Sequence, residues 1–250
     1  MAEYYDVLEL NADWFYAKSN LFINSVLKRH KVKSVVDFTC GTGAQVLYLS
    51  KFYNVTASDL SRPMLKIAKA KARGQKTSIR FKHGNVMHVR LGRFDAALTV
   101  FNAIGHLNKN QFEVALKNIS SNLKDNGIYI FDIFNSDYTK WALRYKFIDA
   151  AVRNQNNTIV RFNRNYLDKR RDILKVTQET WIQKKFDRPQ VIRSSWDMKV
   201  YSLREIDSLL KRNGFRILRA YGGWGKRFSK ANSLSMVVVA QKQRKAVGNA

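Results

Sequence analysis

The first 140 residues alternate between two hydrophobic patterns. Short runs of β-branched residues predict buried strands, and longer stretches with apolar residues three or four positions apart predict amphipathic helices. The predicted strands are 34–38, 55–59, 79–81, 94–101 and 128–132, and the predicted helices are 11–31 with Asn11 as N-cap, 44–51, one beginning after Ser61, and 112–123. Strands that alternate with helices in this way are typical of a parallel sheet covered on both faces.

The pattern changes to a period of two between residues 158 and 200, which predicts antiparallel strands. A capping box at Ser202 and Glu205 then begins a helix, and closing strands are predicted at 215–220 and 234–240. We therefore predict an α/β fold, a doubly wound, seven-stranded, mostly parallel sheet with a small three-stranded antiparallel insert. The predicted main domain is 1–147 and 201–241, the insert is 148–200, and 242–250 is a frayed tail.

Composition excludes several classes of protein. Of the 250 residues 45% are hydrophobic, which is too many for a disordered basic tail. The single cysteine excludes a disulfide scaffold and a cysteine-based zinc cluster, and no metal site is expected. No run of apolar residues is long enough to predict a membrane span, and the first residues do not resemble a secretory signal, so a cytoplasmic location is expected.

Charge is the most unusual property of the chain. It contains 45 Lys+Arg against 19 Asp+Glu, a formal net charge of +26. The basic residues are spread along the whole sequence, although residues 141–230 hold 22 Lys+Arg against 8 Asp+Glu. This excess favours an anionic partner, either a nucleic acid or a small molecule, and an even spread is weaker evidence for nucleic acid than a basic stripe.

The segment 35–43 carries the most specific chemical signal. A predicted strand runs into Gly41 and Gly43 and then into a helix, which brings backbone N–H groups close to a ligand. No lysine follows as in a phosphate-binding loop, and position 46 is valine rather than the third glycine of a dinucleotide site. Asp59, at the end of the second strand, is placed to accept hydrogen bonds from ribose hydroxyls. An adenosine without a phosphate group, S-adenosylmethionine (SAM), fits these features.

These segments, together with 59–65, 84–86 and 94–107, resemble the ordered motifs of class I SAM-dependent methyltransferases, a Rossmann-like family. Within the class the chain most resembles small-molecule N-methyltransferases, namely glycine N-methyltransferase-like enzymes and nucleotide-amino-sugar N,N-dimethyltransferases. The latter share the antiparallel insert, the Ile-Gly-His-Leu segment at 104–107, and the N-terminal segment 2–6. Thr39 departs from the family glycine, and Asn85 stands where many members have aspartate.

Residue roles follow from the turn and from this resemblance. Asp37 is expected to anchor the glycine turn or the amino group of SAM, with a helix N-cap as the alternative reading. Packing is the alternative for the aromatic residues, and helix capping is the alternative for His106. The predicted cofactor-binding residues are Tyr16, Asp37, Thr39, Gly41, Gly43, Asp59, Leu60, Asn85, Val86 and Phe101; the predicted catalytic residues are His106 and Tyr5; the predicted substrate-binding residues are Asn102, Asp132 and Trp181.

The sequence thus predicts an enzyme that methylates a nitrogen of a small, anionic, amine-bearing substrate and acts as a monomer or homodimer. Two alternatives stay open. The first is an RNA- or DNA-directed methyltransferase, which the basic charge favours but the absence of an Asn/Asp-Pro-Pro-Tyr/Phe motif opposes. The second is a protein that binds SAM without turnover.

Overall fold

A computed structural model describes residues 2–9, 13–143, 145–153 and 157–244 of the chain. The helices are α1 Ala2–Glu9, α2 Asp13–Arg29, α3 Ala44–Leu49, α4 Arg62–Gly74, α5 Lys109–Ser121, α6 Ser136–Ala142 and α7 Leu203–Arg212. The strands are β1 Ser34–Asp37, β2 Asn54–Asp59, β3 Ile79–His83, β4 Phe94–Thr99, β5 Leu123–Phe134, β6 Lys146–Arg153, β7 Asn157–Asp168, β8 Ile173–Lys184, β9 Gln190–Lys199, β10 Phe215–Gly222, β11 Lys226–Arg227 and β12 Ser235–Lys242. The predicted N-cap Asn11 lies outside the described residues.

The main sheet has the order β11-β10-β12-β5-β4-β1-β2-β3, and the five strands from β5 to β3 are parallel. Successive residues of β1 point to opposite faces: Val35 packs with α2, α3 and α4, whereas Val36 packs with α5 and α7. Both valines are fully buried, as expected for a strand covered on both sides. The predicted doubly wound fold is confirmed. The sheet has eight strands rather than seven because the two-residue β11 pairs with the end of β10.

The insert is a separate antiparallel sheet of four strands, β6-β7-β8-β9, and not three. The additional strand is β6, which pairs along β7 with one register shift between Ile148 and Ala150. A second difference lies at residues 125–127, whose sequence Asp-Asn-Gly predicts a turn. Asn126 does adopt a left-handed φ of 61°, but pairing with β4 resumes at Ile128, so the turn is an excursion within β5.

The order of the strands places a binding crevice. From β1 the chain runs outward to β2 and β3, then returns to β4 and β5 on the other side of β1. Ligands of open α/β sheets bind where the order reverses, outside the carboxyl ends of the strands. The carboxyl ends of β1, β2, β4 and β5 therefore form the candidate site.

The insert joins the main domain at Asn135, which is fully buried. Its Nδ2 donates hydrogen bonds to the carbonyls of Lys230 (2.9 Å) and Ser233 (2.8 Å), and its Oδ1 accepts from the N–H of Asp137 (3.1 Å). Asn135 thus connects the loop after β11 to the start of α6. Its side chain provides the hydrogen-bond donors for one buried and one partly buried carbonyl.

Replacing Asn135 with alanine is expected to lower the free energy of unfolding by about 2–4 kcal/mol, because the buried Ser233 carbonyl and the partly buried Lys230 carbonyl lose their donors. Urea unfolding measures the change. The matched control is Asn213→Ala, which removes one hydrogen bond to the Leu209 carbonyl at a partly exposed helix end and should cost about 1 kcal/mol or less. Equal losses in the two variants would contradict the role of Asn135.

Candidate active site

The glycine turn between β1 and α3 has the backbone shape that its sequence requires. Gly41 and Gly43 have φ values of 53° and 94°, a region that residues with a Cβ rarely adopt. A Cβ on Gly43 would also lie 3.1 Å from the Cβ of Ala68 in α4. The turn therefore lets the backbone pass close to α4.

Cys40 lies within this turn and is buried. Desolvation, with Asp37 and Asp59 nearby, raises the pKa of its thiol well above the ordinary range. A protonated, buried thiol does not act as a nucleophile. Cys40 is a packing residue of the turn.

Asp37, the last residue of β1, is fully buried, and only one of its two carboxylate oxygens accepts a hydrogen bond from the described residues. Its Oδ1 accepts a hydrogen bond from the N–H of Thr39 (2.9 Å), whereas Oδ2 has no hydrogen-bond partner among the described residues. Burial is the main cause that raises the pKa of this carboxyl to about 7, and the nearby Asp59 raises it further. An unpaired buried carboxylate is costly unless a cation meets it, so the geometry fits the ammonium group of SAM.

Asp59, the last residue of β2, is held rigidly at the neighbouring strand end. Its Oδ2 accepts from the N–H of Gly41 and its Oδ1 from the N–H of Ser61, both at 2.8 Å. These bonds connect the glycine turn to the start of α4 and fix the carboxylate between them. The next residue, Leu60, has an exposed side chain, and its carbonyl contacts Nε2 of His83 (2.9 Å).

The loop after β3 contains Asn85 and Val86. The Asn85 Oδ1 accepts a hydrogen bond from the N–H of Met87 (2.9 Å), and Asn118 of α5 donates to the Val86 carbonyl (2.8 Å). Asn85 therefore shapes its own loop. An amide oxygen has a second lone pair, so this bond is compatible with an additional contact to adenine.

The loop after β4 contains two consecutive left-handed residues, Phe101 (φ 61°) and Asn102 (φ 55°). Such conformations cost about 1–3 kcal/mol each and persist where the surroundings impose them. Asp132 imposes the left-handed conformation of this loop, because its carboxylate accepts hydrogen bonds from the N–H groups of both Phe101 and Asn102. The bond to Asn102 is 3.1 Å. Asn102 in turn accepts from the N–H of Phe134 (3.1 Å).

Asp132 was expected at the substrate, but the structure places it beneath this loop. It is nearly fully buried, and burial raises its pKa to about 7. The carboxylate fixes the loop that lines the cavity, but Asp132 is not itself among the residues of the cavity wall. Asn102, by contrast, lies in the cavity wall.

A cavity of about 550 Å³ separates the carboxyl edge of the main sheet from the insert. Five predicted site residues meet in its wall: Tyr5, Tyr16, Phe101, Asn102 and His106. Tyr16 and Phe101 are in edge-to-face contact, with ring centroids 5.1 Å apart. The remaining wall residues, which were not predicted, are Leu8, Met64, Phe134, Asp149, Arg161, Asn163, Gln178, Ser194, Trp196 and Met198.

Trp181, expected at the substrate, lies instead on the outer face of the insert. It is 41% exposed, and its Nε1 donates to Glu179 (2.6 Å). Trp196 of β9 lines the cavity from the inner face. Both tryptophans lie on period-two strands, and only the position of the main domain decides which one is inside.

Helix α1 connects the two sides of the cavity. Asp6 accepts a hydrogen bond from Oγ1 of Thr42 in the glycine turn and forms an ion pair with Lys71 of α4, both at 2.7 Å. Leu8 packs against Ala150 and Ile159 of the insert. Segment 2–6 has a recognisable sequence, but the pairing of Asp6 with Thr42 leaves no local signal, because 36 residues separate them.

His106 ends the short 3-10 turn Ala103–His106 at the cavity wall. Its side chain keeps access to solvent, yet partial desolvation lowers its pKa below the ordinary value. The ring is therefore neutral near pH 7 and able to accept a proton.

Within the part of the chain that the structure describes, no three His, Cys, Asp or Glu side chains cluster as metal ligands do. Across the same residues, every helix is too short or too polar to cross a membrane.

Comparisons with known proteins agree with this geometry. Residues 35–127 match the family model described as a methyltransferase domain. An uncharacterised protein of Methanocaldococcus jannaschii is 26% identical over 88% of this chain and 78% of its own length. Human glycine N-methyltransferase is 26% identical, over 49% of this chain and 48% of the human protein, so this chain spans about half of that relative.

The structure superposes on a SAM-dependent methyltransferase from Clostridium acetobutylicum with a TM-score of 0.83 at 21% identity, covering 97% of this chain and 98% of the other. The superposition shows that the two proteins share a fold. The residues that match the family model, 35–127, include the glycine turn, Asp37 and Asp59. The chain therefore contains a methyltransferase domain at residues 35–127 and has the fold of class I SAM-dependent methyltransferases.

Proposed function

We propose that this enzyme methylates a nitrogen of a small, negatively charged amine. The observation that carries the proposal is the 550 Å³ cavity, which adjoins the SAM crevice and contains His106 in its wall. Its size suits a small molecule. Human glycine N-methyltransferase is a nitrogen-methylating relative, which favours an amine over a hydroxyl as the acceptor.

The residues that hold SAM form one set along the carboxyl edge. In this proposal Asp59 accepts the ribose hydroxyls, Asp37 and Thr39 meet the methionine part, and Asn85 and Val86 frame adenine. Gly41 and Gly43 provide close backbone approach, Tyr16 and Phe101 form an aromatic wall, and Leu60 contributes only backbone. Bound SAM supplies a methyl group on a positively charged sulfur, which is already a strong electrophile.

The protein therefore contributes alignment and proton handling. Tyr5 and Tyr16 close the cavity, hold the nitrogen in line with the methyl group, and exclude water. An amine attacks only when it is neutral. Burial lowers the pKa of an amine, and the neutral ring of His106 accepts the remaining proton. In this proposal, the domain formed by residues 1–147 and 201–241 holds SAM, and the insert, residues 148–200, faces the acceptor.

The proposal is tested by incubating the protein with SAM and a panel of amino acids, amino sugars and bulk RNA. Mass spectrometry should detect S-adenosylhomocysteine together with one methylated small amine. Methyl groups found on oxygen, or on RNA alone, would overturn the proposal.

Replacing His106 with glutamine is expected to lower kcat by about 10²–10⁴-fold, the usual contribution of general base catalysis. Because burial lowers the pKa of this ring, wild-type kcat should fall only as the pH drops through that value, when the ring becomes protonated. The variant should lack this acidic limb. His30→Gln is the control, since His30 precedes β1 at the opposite edge of the sheet and also has a lowered pKa. Identical pH–rate profiles for wild type and His106→Gln would eliminate the base role.

RNA is the second candidate acceptor, and one surface favours it. Trp141, Tyr145 and Tyr166 are 65%, 67% and 61% exposed, and they lie around a shallow pocket with Lys140 and Lys169. Exposed aromatic rings beside basic residues stack the bases of single-stranded nucleic acid. Affinity for RNA that falls steeply with salt would favour this candidate, whereas a shallow salt dependence favours a small anion.

A further inference from the structure

The inner face of the insert presents a row of polar side chains to the cavity. Asn163 of β7 pairs with Gln178 of β8, which pairs with Ser194 of β9. Residues directly opposite one another in a sheet share a face, and all three line the cavity. Gln178 Nε2 donates to Asn163 Oδ1 at 3.0 Å. The acceptor therefore meets hydrogen-bonding groups on this side.

Arg161 extends this row. It lies two residues before Asn163 on β7, hence on the same face, and its side chain is only 12% exposed. It is the only lysine or arginine in the wall of the cavity, as far as the described part of the chain shows. A guanidinium remains charged at any physiological pH, so it gives this wall a fixed positive charge.

Asp149 reaches the cavity through an irregularity of β6. Ile148 pairs with Phe162 and Ala150 pairs with Arg161, so Asp149 is the extra residue of a β-bulge. Bulges redirect side chains, and here the Asp149 Oδ2 lies 2.5 Å from the Arg161 Nε. The contact is an ion pair without the alignment of a hydrogen bond. The bulge thus places a carboxylate where it orients the guanidinium.

Stability alone gives little reason for this pair. Removing two charges from water costs about as much as their attraction returns. A cavity that admits a charged ligand gives the pair a second use, because Asp149 fixes the rotamer of Arg161 before the ligand arrives.

We propose that Arg161, oriented by Asp149, binds a carboxylate of the methyl acceptor, with Asn163, Gln178 and Ser194 completing the polar wall. The inference rests on the proposed function and narrows the acceptor to an amine that carries a carboxylate, such as an amino acid. The planar guanidinium matches the two oxygens of a carboxylate. Because Arg161 and Asp149 together carry no net charge, this wall has no excess positive charge for a doubly charged phosphate, which favours a singly charged carboxylate.

The acceptor class is tested with matched pairs of amines. Each amino acid in the panel is compared with the amine that lacks its carboxylate, and phosphoethanolamine is included. Methyl transfer from SAM is followed by mass spectrometry. The carboxylated members should be methylated with kcat/KM about 30- to 100-fold higher than their partners, the range expected for lost charge-assisted hydrogen bonds.

Variants then test the residues. Arg161→Gln should raise KM for the carboxylated acceptor about 100-fold, while the Kd of SAM stays within about twofold. Arg161→Lys keeps the positive charge but loses the planar pair of N–H donors, so its KM should lie between those of wild type and Arg161→Gln. Asp149→Asn should raise KM about tenfold at unchanged kcat, as expected of a positioning residue. The matched control is Arg164→Gln, which lies on the same strand but on its opposite, exposed face.

The outcomes separate the two proposals. Preferential methylation of decarboxylated or phosphorylated amines, or equal losses in Arg161→Gln and Arg164→Gln, overturns the carboxylate site and leaves the proposed function intact. A protein that binds SAM in calorimetry but methylates no amine in the panel overturns both.

Discussion

Replacing Asp59 with alanine is expected to weaken SAM binding about 100-fold. The carboxylate accepts hydrogen bonds from the N–H groups of Gly41 and Ser61, which fix it at the end of β2 where we place the ribose. Hydrogen bonds to a charged acceptor contribute about 1.5–3 kcal/mol each, and a loss near 3 kcal/mol corresponds to about 100-fold in Kd. Isothermal titration calorimetry with SAM measures the change.

Asp95→Ala provides the matched control. Asp95 also accepts backbone N–H groups, from Lys33 (3.0 Å) and Ser34 (2.8 Å), but it lies at the opposite edge of the sheet. Its bonds to Lys124 and to these N–H groups hold its pKa at about 2, so its loss should lower stability at neutral pH. SAM affinity should remain within about twofold of wild type. An Asp59→Ala protein that binds SAM as tightly as wild type would remove the ribose assignment.

The second large effect concerns Asp37 and pH. Because the pKa of this carboxyl is raised to about 7, much of the free protein carries it protonated at pH 6. If the ionised form meets the ammonium group of SAM, affinity should rise by about tenfold per pH unit below pH 7 and level off above it. Asp37→Asn should abolish this pH dependence and weaken binding at pH 8.

Folding stability should respond to pH in the opposite sense. A carboxyl whose pKa is raised from 3.8 to about 7 keeps a proton in the folded state that the unfolded chain releases. The stability of the free protein should therefore fall as the pH rises from about 4 to about 7. Asp132, also with a pKa of about 7, contributes in the same direction.

The variant Asp132→Asn distinguishes the effect of Asp132 on SAM affinity from that of Asp37, because the Asp132 carboxylate faces the Phe101–Asn102 loop. We expect SAM affinity to keep its pH dependence in Asp132→Asn and to lose it in Asp37→Asn. Calorimetry between pH 5.5 and 8.5, a range of about 1.5 units on either side of the raised pKa, measures both. A slope that survives in Asp37→Asn would assign the titration to another group.

Local signals predicted most of the fold. The strands of the main sheet are continuous apolar runs because both of their faces are covered, and Gly41 and Gly43 mark the turn at which the ligand crevice opens. Strand β6 was missed for a physical reason. Most of its residues are exposed, and the bulge at Asp149 interrupts the period-two pattern that identifies a strand.

The candidate site was less predictable where it depends on contacts distant in sequence. Asp132 holds Asn102 across 30 residues, and nothing local distinguishes that role from a contact with substrate. Trp181 and Trp196 both fit alternating strands, but a period of two does not indicate which face is covered. Arg161 reads as an ordinary surface residue until β6 and Asp149 are placed beside it.

The connection between the insert and the main sheet has a consequence for how new acceptor specificities arise. Asn135 and Tyr201 form a parallel bridge, the N–H of Ser136 donates to the Tyr201 carbonyl (3.0 Å), and the N–H of Tyr201 donates to Phe134 (3.2 Å). The chain thus leaves the main sheet and returns to it at a single point, so residues 136–200 are a closed cassette. Exchanging this segment for the corresponding segment of another protein with the same fold would replace the wall of the cavity that faces the carboxyl edge, while Asp37, Asp59 and the glycine turn stay in place.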